Sequence, residues 1–316
     1  MPKNRVGMNK KFSYFLCPIV AGALLTVNCA SLRPKPPMLP QYPSPMTERI
    51  RQHERIPNQN NPGRSISLPA FAGKTIEIFI PEKWIAEPQL RLLVHFHGAS
   101  YVARHAVSQQ NHPFVLANMN LGSGSSAYEI PFSSEKAFDE LIASVEASLR
   151  NELTSFRNLE KINLSSFSAG CGAVRAIIRR PENVARIDGI VLLDGLHTDY
   201  IPDRTPLADG GSLNTAKLDH FVKFAQLAAE GAKRFIVTHS EIFPGTYAST
   251  TETADYLIDA LQLKRTPLLT WGPLGMQQVS ETILNRFQVA AFAGNTAPDH
   301  VDHFHALFHF LSLLDD

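Results

Sequence analysis

Cysteine is scarce in this chain. Only three occur in 316 residues, at positions 17, 29 and 171. The first two fall in an N-terminal stretch that reads as leader and tail, so Cys171 stands alone in the folding part and a disulfide framework is excluded. Charge of one sign is equally lacking: 30 basic residues against 29 acidic ones leave a formal net charge of +1. No long-range field is present to gather nucleic acid or anionic lipid. The longest apolar run, Phe12 to Val27, falls short of the roughly 20 residues that a spanning helix needs. Neither an H-E-x-x-H pattern nor a phosphate-binding loop occurs, and Gly122-Ser123-Gly124-Ser125-Ser126 lacks the lysine and the spacing of the latter. We therefore expect no cofactor, and this glycine-serine run reads as a mobile loop. No internal repeat is visible. What remains, 44% hydrophobic and 19% charged, is the composition of an ordinary globular protein with a large core.

The N-terminus carries an address. Basic Asn9-Lys10-Lys11 precedes the apolar run, and small residues Cys29, Ala30 and Ser31 follow it, as in a secretory signal. Residues 1–30 are expected to be that signal. Leu25-Thr26-Val27-Asn28-Cys29 resembles a bacterial lipoprotein cleavage box, which implies a lipidated Cys29 and attachment to a membrane of the cell envelope. From Arg33 to Pro45 a proline-rich sequence favours extended geometry that cannot build a core. Residues 31–64 are expected to be a tether, and residues 65–316 the folded domain.

Beyond Ser65, short β-branched or apolar runs alternate with longer helical ones, the pattern of an α/β protein whose mostly parallel central sheet is flanked by helices. Strands are expected at 75–80, 90–96, 114–119, 161–167, 189–194, 234–238 and 287–293. Helices are expected at 134–151, 170–179, 214–230, 249–261 and 301–314. The connections 99–112 and 196–212 read as long loops over the sheet edge, where ligands bind in such folds.

One local pattern carries chemistry. Ile162-Asn163-Leu164-Ser165-Ser166-Phe167-Ser168-Ala169-Gly170-Cys171-Gly172 is a strand that runs into a helix through a turn with no room for a loop. Such a turn closes only if the residues two before and two after its apex are small, and Ser166 and Gly170 satisfy that. A serine at the apex projects its hydroxyl above the sheet. Ser166-Phe167-Ser168-Ala169-Gly170 resembles the G-x-S-x-G nucleophile elbow of the α/β-hydrolase superfamily, with serine in place of the first glycine. The resemblance implies an α/β-hydrolase fold, Ser168 as nucleophile, and an oxyanion site made by the backbone N–H of Ala169 and of Ala99 or Ser100. The latter pair follows the apolar strand that ends in His97-Gly98. His97 itself reads as a brace for that loop, and His95 as a buried, hydrogen-bonded histidine.

In this superfamily the order is serine, then acid, then histidine. The resemblance implies His300 as base, in the loop before the closing helix, with His303 one helical turn on as the alternate. His305 and His309 read as surface or packing positions. For the acid, Asp194 ends an apolar strand directly after the elbow and is preferred; Glu241, one strand later, is the alternate, and Asp199 a third option. The expected function is hydrolysis of a small-molecule or polymer-linked carboxylic ester by a serine hydrolase. A surface lipoprotein that binds a glycan or protein partner without catalysis is the alternative. A metal enzyme built on His97, His197, His239 and His300, all at strand ends, is a further one.

Overall fold

The computed structural model describes residues 52–71 and 73–315. The expected signal, tether start and Cys29 lie outside the described residues. In chain order the elements are β1 (Gly63–Phe71), β2 (Lys74–Pro81), β3 (Gln89–Phe96), α1 (Ser100–Ser108), β4 (Phe114–Met119), α2 (Ser125–Glu129), α3 (Ala137–Glu152) and β5 (Asn158–Phe167). They continue with α4 (Cys171–Ile177), α5 (Pro181–Arg186), β6 (Gly189–Leu193), β7 (Tyr200–Ile201), β8 (Ser212–Leu213), α6 (Asp219–Ala229), β9 (Arg234–His239) and α7 (Thr250–Ala260). Last come β10 (Thr266–Trp271), β11 (Gln277–Leu284), β12 (Phe287–Phe292), α8 (Ala297–His305) and α9 (Leu307–Ser312).

Ten strands form one sheet in the order β1-β2-β4-β3-β5-β6-β9-β12-β11-β10. The six inner strands from β4 to β12 run parallel, and an antiparallel pair closes each edge. Parallel strands are buried on both faces, so they read as continuous apolar runs; the alternation then decides which face each side chain serves. Along β3, Leu90, Leu92, Val94 and Phe96 enter one core with α3, α4, α6 and α7. Leu93, on the opposite face, enters a second core with α1, α8 and α9. The same split separates Ile190 and Leu192 from Val191 and Leu193 in β6.

Three expectations are corrected. Segment 99–112 is not a loop throughout: α1 occupies most of it, because Val102, Ala103, Ala106 and Val107 make an i, i+1, i+4, i+5 stripe that buries against the second core. The glycine-serine run likewise leads into α2, which packs its buried Tyr128 under the sheet edge. The closing helix begins at Ala297 rather than at residue 301. Thr296 and Asp299 form a reciprocal capping box with Pro298 in the first turn, so His300 sits inside α8, as that motif dictates.

The residues just before Ser65 are also held to the domain rather than free of it. His53 Nδ1 lies 2.7 Å from Asp302 Oδ2, and Arg55 Nε donates to Asp302 Oδ1 at 3.1 Å. Arg55 also donates to the Pro298 carbonyl, and the Ile56 N–H to His305 Nδ1, both at 3.0 Å. Asp302 is fully buried, and a buried carboxylate is costly unless paired. This latch grips α8, the helix that carries His300. A chain beginning at Ser65 is therefore expected to unfold at lower urea than one beginning at Gln52, by about 1–3 kcal/mol. Paired urea titrations of the two chains measure the difference.

Candidate active site

Three neighbouring strands of the sheet, β3, β5 and β6, each end in a non-glycine residue with positive φ. These are His97 at 73°, Ser168 at 49° and Asp194 at 43°. Such backbone costs of order 1–3 kcal/mol per residue and persists only where the surroundings impose it. Around Ser168 they do. A Cβ on Gly170 would sit 2.2 Å from the Phe96 carbonyl oxygen, and one on Gly195 would sit 2.8 Å from both the N and O of Ser168. Only glycine lets β3 and the turn after β6 approach the apex this closely. The result is a partly exposed Ser168 on a sharp strand-to-helix turn.

Asp194 is 1% exposed and saturated with hydrogen bonds. Its Oδ1 accepts from the Ser240 N–H at 2.9 Å and the Thr250 hydroxyl at 2.5 Å. Its Oδ2 accepts from the Ser240 hydroxyl and from His300 Nδ1, each at 2.7 Å. Burial opposes ionisation of this carboxyl, but nearby His303 and His300, with the hydrogen bonds from His300 and Thr250, outweigh it and hold the group well below the usual carboxylate range. An ionised carboxylate only accepts, so Nδ1 of His300 carries a proton, which makes Nε2 the lone-pair nitrogen of the neutral tautomer. The His300 ring packs on Phe167, the residue before the apex, with centroids 4.5 Å apart. Ser168, Asp194 and His300 then line one cavity of about 340 Å³, together with Ile242, Pro244 and Tyr247.

The chain has an α/β fold, a mostly parallel central sheet flanked by helices. No family model matches it, and no curated protein matches it either. Among solved structures, prolyl oligopeptidase B from Galerina marginata is similar at TM-score 0.40 and 12% identity, covering 79% of this chain and 36% of that one. The enterobactin esterase from Shigella flexneri follows at 0.45 and 12%, covering 81% and 60%. A siderophore hydrolase from Aspergillus nidulans stands at 0.47 and 11%, covering 81% and 95%. This chain thus spans less than two thirds of each of the first two proteins.

Within this fold the alternates occupy other posts. His303 is buried, with Nδ1 2.8 Å from the Thr238 hydroxyl and its ring edge-on to Phe292. Glu241 is exposed and ties down the turn after β12, exchanging backbone and side-chain hydrogen bonds with Gly294. Asp199 pairs with Lys217. Ala169 follows the apex, and Ala99 caps α1 just after the His97–Gly98 turn. His97 hydrogen-bonds Tyr128 through Nδ1 at 2.7 Å and stacks on Phe167. Ser240 and Thr250 are the residues that sequence reasoning missed. Their only signal is position, at a strand end and a helix start. One trio of ligand-type atoms gathers among the described residues, on His53, Asp299 and Asp302. The latch and the helix cap already use them, so they do not make a convincing metal cradle.

His95 fastens the turn after β3. Its Nε2 donates to the His97 carbonyl at 2.8 Å, which obliges Nδ1 to accept from the Ser165 hydroxyl at 2.7 Å. Burial, with a smaller contribution from His97, drives its pKa from 6.5 to about 3, and burial likewise drives that of His239 to about 4. Unfolding restores the ordinary value, so below pH 6.5 the unfolded chain binds protons that the folded chain refuses. Stability from these two groups is full above pH 6.5 and declines as pH falls toward 4. Lowering the pH from 7.5 to 5 is expected to remove on the order of 2 kcal/mol for each of them. Asp194 adds a further loss only beneath the ordinary carboxylate range. Urea unfolding at the two pH values, with His95→Asn expected to flatten the dependence, measures this.

Proposed function

We propose that this chain is a serine hydrolase that cleaves a carboxylic ester through an acyl-enzyme on Ser168. The observation that carries this reading is the 2.7 Å hydrogen bond from His300 Nδ1 to buried Asp194, in the cavity that Ser168 also lines. A serine hydroxyl is a poor nucleophile until a base accepts its proton. His300 supplies that base at Nε2, as the Ser168 oxygen attacks the ester carbonyl. Asp194 fixes the tautomer and offsets the charge of the imidazolium that forms. Its many hydrogen bonds keep the carboxylate ionised while it does so.

The carbonyl oxygen becomes an oxyanion held by the backbone N–H groups of Ala169 and Ala99. Fixed amide dipoles suit a charge that appears only in the transition state, and one such donor is typically worth about 3 kcal/mol. Collapse of the intermediate returns the proton from His300 to the leaving alcohol. Water then enters, gives one proton to His300 as its oxygen attacks the acyl carbon, and the acid leaves as His300 returns that proton to the Ser168 oxygen. None of these steps calls on a cofactor. From the N-terminal sequence we take the enzyme to be exported, with Cys29 as its lipid attachment.

Incubation of the full chain with a fluorophosphonate probe tests the reading. Ser168 is expected to label, and both Ser168→Ala and His300→Ala to abolish labelling. Asp194→Asn is expected to slow ester turnover by about 10³–10⁴ with Ser168 and His300 intact, because the histidine then adopts the wrong tautomer. An unmutated chain that fails to label would overturn the assignment, and strong labelling of His300→Ala would remove His300 from the role of base.

A further inference from the structure

Ser168 borders two cavities, not one. The first, described above, holds His300. The second, of about 530 Å³, is lined by Ala169 but not by His300. The leaving oxygen of an ester must receive its proton from His300, so the alcohol portion lies in the first lobe, beside Ile242, Pro244 and Tyr247. The acyl substituent extends into the second.

That second lobe is polar, yet its lining is balanced in charge. Two cations and two carboxylates face it, and they pair off. Arg175 is 3% exposed and donates to Glu129 at 2.7 Å and to the His197 carbonyl at 2.9 Å. Arg179 also meets Glu129 but does not line the lobe. The pair of Lys217 with Asp199 is the open one, its side chains 34% and 50% exposed. Lys217 takes one oxygen of Asp199 and leaves the other without a partner among the described residues, while the ammonium has three hydrogens to give. The hydroxyls of Ser125 and Ser126, which also line the lobe, make no hydrogen bond among the described residues either. His197, which lines both lobes, adds no charge, because burial above all lowers its pKa from 6.5 to about 4. A terminal carboxylate entering this lobe would only accept and would be repelled by Asp199; a terminal ammonium would only donate and would be repelled by Lys217. An apolar end would strip water from these polar groups and return no hydrogen bond. A hydroxyl both donates and accepts.

Taking Ser168 and His300 as nucleophile and base, as proposed above, we infer that the second lobe is an acyl subsite for a neutral, hydroxylated group. The substrate class is an ester of a hydroxy acid with an apolar alcohol. The substrate hydroxyl donates to the open oxygen of Asp199 and accepts from Lys217, and both bonds are charge-assisted.

Benzyl esters that share a leaving alcohol and differ at one acyl position test this. Two pairs place the hydroxyl near the carbonyl and far from it: 3-hydroxybutanoate against butanoate, and 6-hydroxyhexanoate against hexanoate. Benzyl hydrogen adipate and benzyl 6-aminohexanoate put a carboxylate and an ammonium at the far position. With the full chain, followed by release of benzyl alcohol and divided by each ester's rate of hydroxide hydrolysis, kcat/KM is expected to favour the hydroxylated member of at least one pair by about fivefold, the scale of one net hydrogen bond. Both charged esters are expected to fall below 6-hydroxyhexanoate. Asp199→Ala and Lys217→Met are each expected to bring the hydroxyl preference within about twofold. Fluorophosphonate labelling of Ser168 in each variant reports that the site is folded. No preference for a hydroxyl in either pair, a charged ester cleaved best, or a preference that survives both substitutions overturns the subsite. Labelling of Ser168 without cleavage of any of these esters overturns it too, while leaving the serine-hydrolase reading in place. Absence of labelling removes both.

Discussion

The hydrogen bond between Asp194 and His300 is the constraint on which the rest of the site depends. It joins residues 106 positions apart in sequence and holds α8 against the end of β6. A carboxylate this deeply buried is tolerable only with full hydrogen bonding, and four donors converge on it. Two come from Ser240, after β9, one from Thr250, at the start of α7, and one from His300. The donors come from three separate places along the chain, so the acid fastens the sheet edge from several directions at once. The same edge holds three residues in left-handed backbone, among them Ser168, which lines one cavity with His300.

A second tie acts on α8 from outside. The segment at residues 53–56 clasps the helix through buried Asp302 and through His305, two and five residues beyond His300. One set of polar groups thus ties α8 to the strand end and another ties it to the N-terminal segment, while the apolar stripes of α1 and α9 pack beneath. The division is common in α/β proteins: apolar burial holds the layers together, and a few satisfied polar groups set the register at the working edge.

Much of this was legible in the sequence because it is local. Phe114–Met119 is an apolar run bounded by polar turns, and its strand has those bounds. The elbow declares itself through small residues at fixed spacing about Ser168. Other features had weak or no local signal. β10 has an exposure pattern with almost no alternation and lies at the sheet edge, so period-two reasoning passes over it. The stripe of α1 is made of valine and alanine, too small to dominate a hydropathy reading, although its helical spacing was there to find. The early start of α8 was written in Thr296 and Asp299, a capping box with aspartate where glutamate is more usual. The clasp on Asp302 had no local signal, since its partners lie some 249 residues apart. The choice between Asp194 and Glu241 also depends on long-range packing: only Asp194 has Ser240, Thr250 and His300 around it.

In the proposed mechanism Ser168, His300 and the two backbone amides act on one reacting carbon. A crystal structure of the full chain with a benzylboronic acid tests it most directly, since a tetrahedral boronate imitates the acyl transition state. The expected result is boron bonded to the Ser168 oxygen, one boronate oxygen within about 3.2 Å of the Ala169 and Ala99 nitrogens, and another facing His300 Nε2. Boron bound elsewhere, or a boronate on Ser168 with His300 turned away from both it and Asp194, would contradict it.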